Sequence, residues 1–175
     1  MAAITRPSPS EHAPYYSRYI DLVPQGDIFE ILSQQSESFV KLLSTVGNEK
    51  AEFRYALGKW IMKEVVGHVI DTERVFAFRA FAFTRDRMTP LPGMDQEIYA
   101  AGANYTSRPL EDIVDEYRDV RRSTILLFRS FTPEMFAIRG TASGFEFSVR
   151  CLPFIIAGHE LHHRQVLVDR YLKHA

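Results

Sequence analysis

Four long segments of this chain repeat apolar residues at the three-to-four-residue interval of a helix, and the stretches between them hold most of the proline, glycine, asparagine and serine. Alternation at the period of a strand is nearly absent, so the pattern predicts an all-α helical bundle. The first helix is expected to start after Asp27, placed as an N-cap, with the stripe Ile28, Leu32, Gln35, Phe39, Leu42 and Val46 before Gly47-Asn48 stops it. The second runs from Met62 to Arg85, with Met62, Val65, Val66, Val69, Phe76, Ala80 and Phe83 on one face and Pro90 and Pro92 beyond its end. Asp95 to Ala101 has the pattern of a short loop helix broken at Gly102. Ser107 is placed to cap the third, whose stripe is Leu110, Ile113, Val114, Tyr117, Val120, Thr124, Leu127 and Phe131, with Glu111 and Asp112 at the positive end of its dipole. After the turn-rich run 139–144 and a brief extension at Phe145–Phe147, Ser148 is positioned to cap a fourth helix reaching Leu172. Tyr15 to Val23 is apolar enough to lie across the bundle as an N-terminal arm, and residues 1–12 are expected to be loosely ordered.

A chain of 175 residues can bury one core without staples, so residues 1–175 are expected to form a single domain. Cys151 is the one cysteine, which excludes an intramolecular disulfide and a cysteine-rich zinc site. The formal charge of -1 is spread along the chain, so neither nucleic acid nor an anionic membrane is an expected partner. Apolar runs such as Leu152–Ala157 fall well short of the roughly 20 residues that span a bilayer. The first residues lack the apolar centre of a secretory signal, and the expected location is cytoplasmic.

Of the six histidines, His159, His162 and His163 fall together in the fourth segment. His159 and His163 differ by about 40° around a helix and by about 6 Å along it, so they share a face. Leu152, Ile155, Ile156, Val166 and Leu167 lie on that same face, so the pair interrupts a core stripe. Two buried imidazoles without partners would cost on the order of 2 kcal/mol or more each, and a shared metal ion satisfies both. The run His159-Glu160-Leu161-His162-His163 also fits the H-E-x-x-H pattern of metalloproteases, in which Glu160 would be a general base. A bundle offers no edge strand to align a peptide, so Glu160 reads more simply as a solvated or supporting carboxylate and His162 as flanking. A third ligand has to come from another helix. His68 is the one other histidine inside a long periodic segment, although on the residues alone a lone surface histidine with a local hydrogen bond is the favoured reading. Glu64 lies one turn before it and Asp71 nearly one turn after, each able to orient the ring or carry a proton. Arg118, Arg121 and Arg122 read as a solvated helix face, and Cys151 as an inert packing residue.

Trp60, Glu64 and His68 at four-residue intervals, followed far along the chain by His159-x3-His163, resemble the DinB-like family of four-helix metal-binding proteins. The runs Gly67–Arg74, Thr89–Gln96 and Arg139–Gly144 extend the resemblance over most of the chain. It implies an up-down-down-up bundle in which His68, His159 and His163 hold one divalent transition metal: nickel, zinc or iron. Ile61 departs from the pattern, because relatives commonly carry a serine or threonine cap there. The resemblance also places Asp95, Tyr99 and Asn104 near a pocket mouth.

Three neutral nitrogens leave a bound ion's charge unquenched and a coordination position open, as in catalytic sites. Relatives include transferases that use a low-molecular-weight thiol such as bacillithiol or mycothiol, and a metal-dependent thiol transferase acting in detoxification is the expected function. The alternatives are a hydrolase with Glu64 or Glu160 as proton carrier, and a non-catalytic module in which the ion ties two helices together. Phe76, Phe78, Phe81 and Phe83 surround the second helix on several sides, from which a homodimer is expected.

Overall fold

Asp27 starts the first long helix as the sequence requires: its carboxylate accepts from the backbone N–H of Phe29 at 2.8 Å and Glu30 at 3.2 Å, two of the donors that a helix start leaves free. A computed structural model of the chain describes residues 4–173. In chain order, 3₁₀ turns at Pro9–Glu11 and Pro14–Tyr16 lead into α1 (Ser17–Ile20), α2 (Ile28–Leu43), α3 (Asn48–Ala51), α4 (Met62–Arg85), α5 (Gln96–Gly102), α6 (Leu110–Arg129) and α7 (Pro133–Ala137). A hairpin of β1 (Arg139–Ala142) and β2 (Phe145–Ser148) precedes α8 (Cys151–Val166), which continues as a π-helical turn over Leu167–Leu172.

The long helices α2, α4, α6 and α8 form a four-helix bundle in the up-down-down-up order. Both α2 and α4 pack against α6 and α8, so these pairs occupy the diagonals. Since α4 and α6 run the same way, the chain must travel back along all 24 residues of α4, about 36 Å, before α6 begins. Residues 86–109 make that return, with α5 embedded in them. Lys63 fixes the end of the return by donating to the carbonyls of Thr106 at 2.8 Å and Arg108 at 2.9 Å.

Element ends differ from the sequence reading for local reasons. The Ser44 and Thr45 hydroxyls donate to the carbonyls of Lys41 and Leu42, which closes α2 before Val46. Ser107 does not cap α6: its hydroxyl donates to Asn104 Oδ1 at 2.6 Å, and the helix begins only after Pro109, which disfavours helical backbone at Arg108. Ile61, which has no capping oxygen, instead donates its N–H to Glu64 Oε2 at 2.7 Å. Ser148 does not occupy the cap position of α8, which is Arg150, but from two residues upstream its hydroxyl accepts from the Cys151 N–H at 3.1 Å. Ser143 and Gly144, with φ of 54° and 78°, make the tight turn between the strands.

The core consists of two apolar clusters at opposite ends of the bundle, one around Leu32, Phe83, Phe128 and Ile155, the other around Phe39, Val66, Ile113 and Tyr171. Arg121, Glu73 and Glu160, from the middle of α6, α4 and α8, lie buried outside both clusters. Phe76 and Phe83 are core residues, whereas Phe78 and Phe81 are 55% and 45% exposed.

Residues 4–12 are tied down, contrary to the expectation of a loose terminus; residues 1–3 lie outside the described residues. Arg6 donates to the carbonyls of Ile20, at 2.6 Å, and Val23. Glu11 is buried, where it accepts from Arg150 Nη2 at 2.6 Å and the Ser148 hydroxyl at 2.8 Å. The composition of the first twelve residues hides this, since Thr5, Arg6 and Glu11 act on partners distant in sequence. The arm lies across the bundle as expected, and α1 packs on α8. Its close seat requires Gly158, where a Cβ would stand 1.9 Å from the Tyr19 carbonyl oxygen.

Candidate metal centre

α4 and α8 bring His68, His159 and His163 together, with one ring nitrogen from each within 4.8 Å of the others. The i, i+4 spacing on α8 sets the His159 and His163 rings 4.4 Å apart, and the His68 ring from α4 lies 4.9 Å and 4.8 Å from them. His68 and His159 are buried and His163 nearly so. Tyr19 of α1 covers the cluster edge-on at 5.3 Å from the His159 ring, and Trp60 lies 5.0 Å from the His68 ring.

Burial disfavours the charged form of all three rings. It lowers His68 to about 4 and, with the nearby His68 and His162 adding to the effect, His163 to about 3. His159 is driven well below its ordinary value by burial and then by the His163 and His68 charges. The rings are therefore neutral at physiological pH, the state in which imidazole ligates a metal.

The donor set fits a divalent transition metal on two further observations. His68 Nε2 and His159 Nε2 face each other at 3.1 Å, a contact in which only one ring can donate, whereas a shared cation gives both lone pairs a partner. His163 Nδ1 is buried without a hydrogen-bond partner among the described residues. On the far side of its ring, His68 Nδ1 lies 3.5 Å from the Thr72 hydroxyl; with the ring proton on Nδ1 this long contact leaves Nε2 as the inward-facing acceptor.

The carboxylates singled out from sequence lie elsewhere. Glu64 is occupied by the Ile61 N–H, and Asp71 accepts from the Tyr105 hydroxyl at 2.9 Å. Glu160 is neither solvated nor directed at the histidines: it is fully buried and accepts from Tyr117 and from Arg121 Nη2, both at 2.6 Å. The roughly 100° turn between adjacent helix positions sends His159 toward α4 and Glu160 into the bundle. Arg121, read as part of a solvated face, is 1% exposed and also chelates Glu73 through Nε and Nη2. His162 flanks the cluster, its ring 5.0 Å from His163 and 5.4 Å from Tyr19, outside the donor trio. Cys151 is a packing residue, as expected; burial pushes its thiol up to about 12.

Two cavities meet the cluster. The larger, 380 Å³, is walled by His68, His159, Thr72, Val75, Phe76 and Arg79, the tyrosines of the arm, Ser143, the loop residues Met94 and Asp95, and Gln96 at the start of α5. The other, 210 Å³, reaches His163 past Trp60, Tyr55 and Tyr171, and Gln96 lines both. Of the loop residues expected at the pocket mouth, Asp95 is there, its Oδ1 capping α5. Tyr99 and Asn104 line neither cavity: Tyr99, on α5, is 45% exposed, and Asn104 is engaged with Ser107. Thr72 and Arg79 went unassigned in the sequence, though both extend the His68 face of α4 at helical spacing.

Among solved structures the chain is similar to one titled "YfiT from Bacillus subtilis is a probable metal-dependent hydrolase with an unusual four-helix bundle topology". The TM-score is 0.75 over 97% of this chain and 93% of that one, at 13% sequence identity, so the likeness is one of fold. No curated protein matches the chain. The sequence model of the DinB superfamily matches residues 31–167, a span that includes all three clustered histidines and the four bundle helices from Ile31 on, and the chain belongs to that superfamily.

Proposed function

We propose that this protein is a metal-dependent transferase that brings a small thiol and an electrophilic partner to His68, His159 and His163. The observation that carries the reading is the pair of cavities flanking one histidine cluster, because a transfer between two molecules needs two approaches to a common point. It is supported by the occupation of Glu64, Asp71 and Glu160 elsewhere, which leaves the rings without an adjoining carboxylate base from that set.

A divalent ion held by the three rings would acidify a thiol beside it and polarise an electrophile. The chain's own part is to present neutral nitrogens and to keep them dry. Thr72 lies beside the outer nitrogen of His68, while Tyr19 and Trp60 cover the rings. Burial and the Tyr15 hydroxyl push the Tyr19 phenol up to about 12, so it remains protonated and does not compete as an anion; its oxygen accepts from Arg18 Nη2 at 2.9 Å. In the transfer, the thiol proton passes to solvent, sulfur forms a bond to the electrophilic carbon, and the leaving group departs with the electron pair.

A second reading, hydrolysis, is favoured by Asp95, a carboxylate in the wall of the larger cavity, and agrees with what is said of YfiT. Cobalt-substituted protein separates the two. Titration with bacillithiol, mycothiol, glutathione and cysteine is expected to produce an intense sulfur-to-cobalt charge-transfer band with at least one of them, and metal-dependent conjugation of an electrophile that His163→Ala abolishes. No such band and no conjugation across the panel, with ester or amide cleavage lost in Asp95→Asn, would establish hydrolysis instead.

A further inference from the structure

The larger cavity contains a buried cation that the transfer chemistry does not use. Arg79 is 3% exposed, yet its hydrogen bonds within the described residues are only two, both from Nη2 to uncharged acceptors: the Ser143 hydroxyl at 3.0 Å and the Pro92 carbonyl at 3.3 Å. No carboxylate lies within ion-pair distance of it among those residues. Arg121, the other deeply buried arginine, has two carboxylates on its guanidinium. A guanidinium carries five N–H donors, and burying its charge unpaired is costly, so a site of this kind is completed by an anion. The Phe76 and Phe147 rings, 5.0 Å and 5.9 Å from its Cζ, hold it against an apolar wall and offset only part of that cost.

Position makes this a ligand site rather than an isolated oddity. His68, Thr72, Val75, Phe76 and Arg79 all line the cavity and follow one another at intervals of three, four or one along α4, so they form a single stripe down its wall. The stripe is polar at the histidine end, apolar in the middle and cationic at Arg79. His68 and Arg79 are eleven helical steps apart, about 16 Å along the axis, and both line the cavity. The one carboxylate in this wall, Asp95, caps α5 instead.

We infer that Arg79 and Ser143 form the anchoring end of the ligand cavity, recognising a carboxylate on an elongated ligand whose reactive end lies at the histidines and whose middle crosses Val75 and Phe76. Planar, bidentate hydrogen bonding suits a guanidinium with a carboxylate, and the Ser143 hydroxyl beside it supplies a further donor. The inference rests on the histidine cluster being the reactive end, but the anchoring itself requires no reaction.

The experiment uses ω-mercaptoalkanoates of increasing chain length against ω-mercaptoalkanols of the same length, titrated into cobalt-loaded protein and followed by the sulfur charge-transfer band. The acids are expected to bind at least tenfold more tightly than the alcohols at one optimal length, with no such optimum among the alcohols. In Arg79→Met the preference is lost while alcohol binding persists, and Ser143→Ala weakens it about threefold. Circular dichroism and metal content establish that the variants fold, and the wild-type comparison of acids with alcohols stands even if Arg79→Met does not. Equal binding of acids and alcohols at every length overturns the anchor and leaves the thiol reading intact. If no thiol of either series gives the band, the thiol reading fails, and the anchor is then decided in metal-free protein by thermal shift with α,ω-dicarboxylates against the matching diols. Stabilisation by the diacids that Arg79→Met removes upholds it, and equal shifts reject it.

Discussion

Glu160 and His159 are neighbours on α8 that serve different faces: His159 meets His68 at 3.1 Å in the metal cluster, while Glu160 accepts from Arg121 at 2.6 Å inside the bundle. Arg121 also reaches Glu73 on α4 and donates to the Leu32 carbonyl on α2 at 3.1 Å, so one guanidinium joins all four long helices. Its position between the two apolar clusters makes it a fixed reference for the rotation of α8, and therefore for the direction of His159.

Removing that guanidinium strands two buried carboxylates. Arg121→Met is expected to cost about 3–5 kcal/mol in chemical denaturation, the range for breaking one side of a buried ion pair. Glu160→Gln keeps a hydrogen-bond acceptor for Tyr117 and Arg121 and should cost less, about 1–2 kcal/mol. A smaller loss for Arg121→Met than for Glu160→Gln would show that the network does not hold the helices in register.

The pH dependence of the metal-free protein follows from the buried rings. His68 and His163 lie at about 4 and about 3 in the folded chain, against 6.5 in the unfolded one, with burial the leading cause in both, and His159 is displaced in the same direction. Below pH 6.5 the unfolded chain therefore binds more protons than the folded chain. Stability is greatest above that pH and falls as the pH drops from 6.5 toward 4, by up to about 1.4 kcal/mol per pH unit for each ring. Metal-free protein should therefore show a melting temperature that declines steeply between pH 6.5 and 4, and His159→Gln should flatten the decline. A profile that stays level through this window would mean that the rings are not buried as neutral groups.

Glu11 tests the arm separately. Burial raises its carboxyl, but the opposing hydrogen bonds from Arg150, Ser8 and Ser148 prevail and hold it down to about 2 from 4.5. Its contribution is present above pH 4.5 and is lost as the pH falls from 4.5 through 2. Glu11→Ala is expected to cost about 2 kcal/mol at neutral pH and to accelerate hydrogen exchange in residues 4–23 ahead of the bundle helices. Uniform acceleration throughout the chain would contradict a locally anchored arm.

The four helices and the histidine trio were legible in the sequence because both rest on period. Apolar stripes at 3.6 residues mark the helices, and His159 and His163 reveal themselves by interrupting one stripe at i, i+4. Glu160 and Arg121 were read as solvated because charged side chains are ordinarily exposed, and Glu11 fell within a terminus expected to be loose; each is buried here by a partner far away in the chain. Local sequence carries no record of such pairings. Arg79 was hidden for a different reason: a single charged residue beside the apolar stripe of α4 carries no local sign of burial, and only the loop 86–95 and the hairpin, folding over that face, turn it into a cavity wall.

Gly158 connects packing of the arm to the histidines most directly. A Cβ there would fall 1.9 Å from the Tyr19 carbonyl oxygen and 2.3 Å from its carbon, and backbone cannot move aside as a flexible side chain would. Gly158→Ala should therefore lift α1 from α8, taking with it the Tyr19 ring that covers His159 and His162. A helical Gly→Ala change by itself stabilises by about 0.5–1 kcal/mol, so a net loss of stability would be attributable to the displaced arm. The expected outcome is a loss of about 2 kcal/mol or more and faster release of metal to a chelator, with the three histidine donors still present. Trimming Tyr19→Ala removes the cover without the backbone clash, and should reproduce the faster release with a smaller loss of stability. If Gly158→Ala melts at or above the wild-type temperature and holds its metal as long, the seat of α1 on α8 does not control access to the cluster.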